Sequence, residues 1–323
     1  MLILSADDIR RALPLRAAID SQKKAYASLT TGNSVLPLRT PVTVPAQDAV
    51  TLFMPARVEN DLGAKIVSVF PKNISRKLPM IHGVVIMVDS ETGMPIALMD
   101  ATYLTALRTG AGAGAATELL ARPDSEIAAI IGSGTQAKTQ LLALCEARPI
   151  TEARIFSRNP QHVSRFIEEM QPQVKAKLIP TSSSRDAILN ADIICAATTS
   201  TTPVFNGGDL KEGAHVNGVG AYTLQMKEID NETIRRAKKV FVDSREATSA
   251  EAGDVMDAIQ NNAITENDLI EIGAVAAGQV QGRAADGDIT FFKSCGIAVQ
   301  DVAAGGEVLR RARELGLGVE VNL

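Results

Sequence analysis

The sequence contains no tryptophan, and phenylalanine and tyrosine together bring the aromatic share to only 3%. Platforms for stacking nucleobases are hard to build from so few rings. A basic excess is missing too: 33 Lys and Arg against 37 Asp and Glu leave a formal charge of −4, whereas phosphate neutralisation calls for a basic face. No nucleic-acid partner is therefore expected. No run of about 18 apolar residues occurs, and Met1–Asp8 lacks a basic segment followed by an apolar one, so neither a membrane span nor a secretory signal is expected. The three cysteines, Cys145, Cys195 and Cys295, stand far apart in or beside apolar runs, as buried thiols do. The histidines, His82, His162 and His215, form no His-x-x-x-His pair. The expectation is a cytoplasmic, metal-free protein that handles small metabolites.

What is present is apolar material for more than one core. A chain of 323 residues, 46% of them hydrophobic, exceeds the usual single domain of about 100–200 residues. Ser5 with Asp8 three positions on has the form of a capping box, and Leu15, Ala18, Ile19 and Ala25 keep helical spacing until Gly32. From Val35 to Asp100 the pattern shifts to short β-like runs, at 42–44, 51–54, 64–70 and 84–88, broken by proline and glycine, which suggests a mixed α+β sheet. Beyond Arg122-Pro123-Asp124, apolar runs at 127–131, 153–156, 176–179, 193–197, 214–219 and 240–242 alternate with helical stretches, the rhythm of a doubly wound parallel sheet. Residues 298–315 read as a closing helix that ends at Gly316-Leu317-Gly318 and crosses back to the first domain.

The run Ile127-Ala128-Ala129-Ile130-Ile131 leads directly into Gly132-Ser133-Gly134-Thr135-Gln136-Ala137 and a helical segment. This is the Gly-x-Gly-x-x-Ala form of the dinucleotide fingerprint in its strand-to-helix setting. Gly132 permits the tight turn, Gly134 lets the backbone approach a pyrophosphate, and Ala137 keeps helix and strand close; unpaired N–H groups at the helix start favour the phosphates. A second cluster, Gly110-Ala111-Gly112-Ala113-Gly114, follows no apolar strand and reads as a small-residue helix packed closely on a neighbour. The fold class is therefore α/β: a Rossmann domain over 121–298 with a discontinuous α+β domain formed by 1–120 and 299–323. The next strand ends at Phe156-Ser157-Arg158-Asn159, where an NAD-specific protein places an acidic residue for the ribose 2′-hydroxyl. Ser157 and Arg158 would instead hold a 2′-phosphate, so NADPH is the expected cofactor, with NADH as the alternative.

Lys65 lies in Ala64-Lys65-Ile66-Val67-Ser68-Val69, where strand alternation puts it on the face of Val67 and Val69. A lysine there either meets an anion and acts as a proton donor, or snorkels from an edge strand. Arg108, in Leu107-Arg108-Thr109-Gly110, opens a glycine- and alanine-rich helix that would attract an anion, and Arg39 stands in a stiff loop between Pro37 and Pro41. His82, after Pro79-Met80-Ile81, is a second candidate acid, and Asp301 on the closing helix either orients a base or forms a salt bridge.

Taken in order, these segments resemble the ornithine cyclodeaminase/μ-crystallin family. The resemblance is carried by Arg39, Lys65, Ala97-Leu98-Met99-Asp100-Ala101 with Thr105-Ala106-Leu107-Arg108-Thr109, the Gly132–Ala137 turn, His215-Val216-Asn217-Gly218-Val219-Gly220-Ala221, Val242-Asp243-Ser244, and Phe292-Lys293-Ser294-Cys295-Gly296 with Asp301. It implies a homodimer whose first domain supplies both subunit contact and substrate pocket. It also implies that Arg39, Lys65 and Arg108 surround the carboxylate of an amino or imino acid. Thr109, Gly132, Gly134, Thr135, Gln136, Ser157, Arg158, Asn159, Thr198 and Val219 are the candidate cofactor contacts. Tyr222 stands where the family's cyclodeaminases carry an aspartate, which brings the chain nearer the ketimine-reductase branch. The expected activity is NADPH-dependent reduction of a small cyclic 2-imino acid, Δ1-pyrroline-2-carboxylate or its six-membered homologue. Its rivals are an alanine or arginine dehydrogenase, an ornithine cyclodeaminase, a trans-3-hydroxyproline dehydratase and a crystallin-like NADPH-binding protein.

Overall fold

A computed structural model describes residues 1–322. The chain forms two compact units: Met1–Arg108 completed by the segment from Ile297 onward, and Thr109–Gly296. The first begins with β1 (Leu2–Leu4) and α1 (Ala6–Ala12). The capping box is present, because Ser5 Oγ accepts from the Asp8 N–H while the Asp8 carboxylate accepts from the Ser5 N–H. Pro14 has no N–H to continue the helix, and α2 (Leu15–Thr30) starts after it. There follow β2 (Ser34–Val35), β3 (Thr40–Val44), β4 (Ala49–Val58), β5 (Asp61–Val69), β6 (Ile81–Val88), β7 (Pro95–Asp100) and α3 (Ala101–Leu120). The expected domain boundary after residue 120 and the observed division differ: the latter falls within the continuous helix α3.

Strands β4, β5, β6 and β7 pair antiparallel in sequence order, β2 and β3 both pair with β4, and β1 runs parallel to β7. The register aligns Met54, Lys65, Val85 and Met99 across four strands on one face, all of them buried. The other face carries Val42, Phe53 and Val84 exposed, with Ala64, Ile66, Ile86 and Leu98 half-buried. One face of this sheet is thus a core; the other is a partly open surface on which these apolar residues stand beside Thr51, Ser68 and His82.

The second unit runs β8 (Ile127–Ile131), α4 (Thr135–Ala147), β9 (Glu152–Phe156), α5 (Pro160–Met170), β10 (Lys177–Pro180), α6 (Ser184–Ile188), β11 (Ile193–Ala196), β12 (His215–Gly218), α7 (Asn231–Arg236) and β13 (Lys239–Val242). It ends with α8 (Arg245–Glu251), α9 (Gly253–Gln260), β14 (Leu269–Glu271), α10 (Ile272–Ala276) and β15 (Thr290–Lys293). All its strand pairs are parallel, in the order β10-β9-β8-β11-β12-β15-β13-β14. Alternate residues of one strand enter different cores: Ala129 and Ile131 pack with Val216 and Phe291, Ala128 and Ile130 with Leu141 and Phe166. Burial on both faces explains why these strands read as unbroken apolar runs. Two strands, β14 and β15, lack such a run. β15 slots between β12 and β13 and ends in Lys293, whose buried Nζ pairs with Asp254 Oδ2 at 3.1 Å.

The chain then returns as α11 (Ala298–Leu315) and β16 (Val319–Glu320), the latter antiparallel to β1. Gly316 ends the helix in the left-handed region with φ 63°, as the Gly-Leu-Gly signal requires. Helix α11 lies along the buried face of the sheet, against β4, β5, β6 and α2. A Cβ on Gly305 would sit 2.9 Å from Met87 Sδ, and one on Gly306 would sit 2.1 Å from Asp61 Oδ2. Hydrogen atoms at these two positions let the helix lie this close to β5 and β6.

The second glycine cluster lies in α3 as expected, and a Cβ on Gly110 would come 2.6 Å from the backbone oxygen of Thr139 in α4. Gly110→Ala should therefore lower stability by about 1–3 kcal/mol, although alanine gains about 1 kcal/mol in helix propensity. Urea unfolding monitored by circular dichroism measures this, and a stabilised variant would show that the contact yields freely.

Candidate active site

The first unit gathers three of the sequence-derived residues into one buried cluster. Lys65 projects from the middle of β5, Arg108 from α3 and Asp301 from the first turn of α11. Lys65 is 1% exposed, Arg108 5% and Asp301 0%. The Asp301 carboxylate divides itself between the two cations: Oδ1 accepts from Arg108 Nε at 2.9 Å, and Oδ2 lies 2.7 Å from Lys65 Nζ. Both carboxylate oxygens are thus engaged by cations.

Charge does not balance within the cluster. Burial is the largest influence on Lys65, and the Arg108 guanidinium adds to it, followed by Arg39; Asp301 opposes them, and the ammonium is pushed down to about 7. Arg39, just ahead of β3, is half-buried and within electrostatic reach. Arg108 spends Nε on Asp301 and Nη1 on Gln300 Oε1 at 3.1 Å, while its Nη2 donates to no described residue. A guanidinium has five N–H donors. The open ones form a buried, planar, cationic edge suited to a carboxylate.

His82 is not brought to this cluster. It pairs with Ser68 on β5, three residues from Lys65, so it leaves the opposite face of the sheet and is exposed. The sequence also gave no prominence to Tyr26, Gln22 and Gln300, which are fully buried beside the cluster. The available signal was polar side chains at Gln22 and Tyr26, four apart on the buried face of α2.

In the second unit Gly132 adopts φ +119°, and a Cβ there would meet the Ala197 oxygen at 2.5 Å. Gly134 is the N-cap of α4, no side chain caps the helix, and a Cβ on it would meet nothing within 4 Å. The exposed N–H groups of that first turn, Thr135 included, thus face open space at the positive end of the helix. Gln136 Oε1 is buried without a partner. Ser157 is half-buried, and Arg158 and Asn159 are exposed at the end of β9, where Asn159 caps α5 and Arg158 pairs with no described residue. Glu228 was not foreseen: its buried carboxylate accepts from the N–H groups of Thr198, Gly220 and Ala221, tying down the loops after β11 and β12 next to Val219. Thr109 lies half-buried in α3. These residues fit a dinucleotide: a cradle only glycine can form, an uncapped helix start, and polar groups at the ribose-side strand end. Among the described residues, no cluster of three or more His, Cys, Asp or Glu is arranged to hold a metal, and no helix is long and apolar enough to cross a membrane.

A doubly wound parallel sheet with this turn, in a chain that also carries a buried lysine, arginine and aspartate, defines a nicotinamide-dependent oxidoreductase. Comparison with known proteins makes the class specific. The chain belongs to the ornithine cyclodeaminase/mu-crystallin family, whose model matches residues 1–315. It is 34% identical over 325 residues, all of both chains, to a Delta(1)-pyrroline-2-carboxylate reductase of Bacillus cereus. The structure of Thermococcus litoralis Delta(1)-pyrroline-2-carboxylate reductase in complex with NADH and L-proline is similar at TM-score 0.95 and 38% identity, over 99% of this chain and 100% of that one. An archaeal alanine dehydrogenase dimer with bound NAD gives TM-score 0.91 at 31% identity, over 100% of this chain and 99% of that one.

Gly132→Ala should abolish dinucleotide binding, because the new methyl group meets a backbone oxygen and the residue must keep a positive φ. Fluorescence titration with reduced nicotinamide dinucleotide, alongside circular dichroism to show that the fold persists, checks this. Undiminished binding would remove the turn from the cofactor site.

Proposed function

We propose that this enzyme reduces the C=N bond of a small cyclic 2-imino acid, Δ1-pyrroline-2-carboxylate or Δ1-piperideine-2-carboxylate, to the cyclic amino acid, preferring NADPH. The observation that carries the reading is the buried Arg108 guanidinium, with Nη2 undonated, beside a lysine whose ammonium is held near neutrality. Family membership, and relatives named for this reaction, support it.

Each residue has a definite task. Arg108 and the nearby Arg39 fix the substrate carboxylate, which supplies the negative charge missing from the cluster. A carbon–nitrogen double bond accepts hydride readily once its nitrogen is protonated, and Lys65 in its ammonium form donates that proton. Asp301 holds Lys65 in place and, as the anion of the cluster, stabilises the iminium. The nicotinamide cofactor supplies the hydride when bound. His82, on the far face of the sheet, takes no part.

The preference for NADPH rests on Ser157 and the unpaired Arg158, with no acidic residue from Phe156 to Gln161 to repel a 2′-phosphate. The open apolar face with Phe53, Val84 and Val42 supports a homodimer, in which a second copy would cover it. An acyclic amino-acid dehydrogenase is the second reading, because the archaeal alanine dehydrogenase shares the whole fold. Tyr222 speaks against cyclodeamination, since a phenol is a poor partner for a substrate ammonium group.

With purified enzyme, Δ1-pyrroline-2-carboxylate or Δ1-piperideine-2-carboxylate should drive rapid NADPH oxidation, and ornithine should release no ammonia. Background rates with every cyclic imine would sink the reductase reading, and turnover of pyruvate with ammonia would favour the dehydrogenase. In the reductive direction kcat/KM should fall as pH rises through about 7, because deprotonation removes the donor on Lys65. Lys65→Met should cost roughly 10²-fold or more in rate and lose that limb. Arg158→Ala should weaken NADPH by at least about tenfold while sparing NADH; an equal loss for both would dismiss the 2′-phosphate contact.

A further inference from the structure

Gln300 stands next to Asp301 at the start of α11, fully buried, and its amide has only one self-consistent orientation. The backbone N–H of Ile297 can only donate, and it reaches the Gln300 amide at 3.0 Å. The atom it meets must therefore be the oxygen, Oε1. The same oxygen accepts from Arg108 Nη1 at 3.1 Å. The amide nitrogen is left pointing at Tyr26, whose hydroxyl accepts from Gln300 Nε2 at 2.8 Å. One turn earlier in α2, Gln22 Nε2 donates to the Gln300 backbone oxygen at 3.2 Å.

Arg108 is thus held at two points in its own plane, Nε by Asp301 and Nη1 by Gln300. Asp301 alone would leave the guanidinium free to tilt about a single bond. The second contact fixes the plane and so the direction in which Nη2 presents its hydrogens. Gln300 is neutral, so it does this without cancelling the positive charge that a carboxylate ligand needs; a glutamate at 300 would place a second anion on the same guanidinium.

We propose that Gln300, held by Tyr26, is a positioning residue that sets the plane of the Arg108 guanidinium and thereby the affinity for the substrate carboxylate. This rests on reading Arg108 as the carboxylate anchor, and the experiment separates the two claims. The chemistry recognised is a carboxylate alpha to an imine or amine; the contribution is to ground-state binding, with the proton donor Lys65 left in place.

Steady-state kinetics with the cyclic imino acid, and titration with the product amino acid, are compared for Tyr26→Phe, Gln300→Met, Arg108→Ala and the double variant Gln300→Met/Arg108→Ala. Gln300→Met should raise KM and the product Kd by about tenfold or more, the scale of a lost hydrogen bond to a charged group, with kcat within about threefold. Tyr26→Phe keeps the ring packed and removes only the hydroxyl, so it should shift KM in the same direction by a few-fold, on the order of a neutral hydrogen bond. In the Arg108→Ala background, Gln300→Met should add nothing, because the group it orients has gone. Affinity for the nicotinamide dinucleotide should stay unchanged throughout. If Arg108→Ala raises KM while Gln300→Met and Tyr26→Phe leave it unmoved, the positioning role is overturned and the anchor stands. A loss that persists in the double variant, or a fall in kcat with KM constant, overturns it as well. If Arg108→Ala itself leaves KM unchanged, it is the anchor reading that fails.

Discussion

A single carboxylate carries the chemistry of the first unit. Asp301 is the only anion at the meeting point of Lys65 and Arg108 among the described contacts, and two cations so deeply buried would otherwise repel each other with little water to screen them. Its placement depends on α11 lying low over β5 and β6, where Gly305 and Gly306 leave room for the ends of the Met87 and Asp61 side chains. The packing of one helix thus brings the cluster's anion to a lysine on a strand far away in sequence. Because one carboxylate serves two cations, the cluster stays short of negative charge, and that deficit is what the proposed binding of an anionic substrate draws on.

Beside the buried Lys293–Asp254 pair, the second unit holds two further carboxylates by backbone and hydroxyl donors. Asp243 accepts from Ser294 Oγ and from the N–H groups of Cys295 and Gly296, and Glu228 from three backbone N–H groups, so each anion is spent on shaping a loop. Burial is the largest influence on both and raises their carboxyls above the ordinary range. Here the polar interior is closed on itself. What remains open is the helix start behind Gly134, where backbone rather than side chains offers the donors.

Much of this was legible in the sequence, for identifiable reasons. The parallel strands from Ile127 to Val242 show as apolar runs because both their faces are covered, and Lys65 was noticeable because it interrupts an apolar face with period two. The capping box at Ser5 and the closing glycine at Gly316 were local signals with local outcomes. His82 misled because proximity along the chain says nothing about which face of the sheet a residue leaves; three residues of register separate it from Lys65's row. Strand β15 escaped because its four residues, Thr290 to Lys293, do not form the unbroken apolar run that marks the parallel strands before it. Gln300 and Tyr26 escaped for another reason: a buried amide announces its role only through what it touches.

The notch that Gly305 and Gly306 cut into α11 also acts as a register pin. Successive helix positions turn by about 100°, so a slip of one residue would swing Asp301 away from both cations while bringing a side chain down onto Asp61 or Met87. The two events are coupled, since the steric gap and the carboxylate ride on the same rigid rod. Length changes in the chain before Ile297 can then be absorbed only in the preceding loop, leaving the helix seated in one rotational setting.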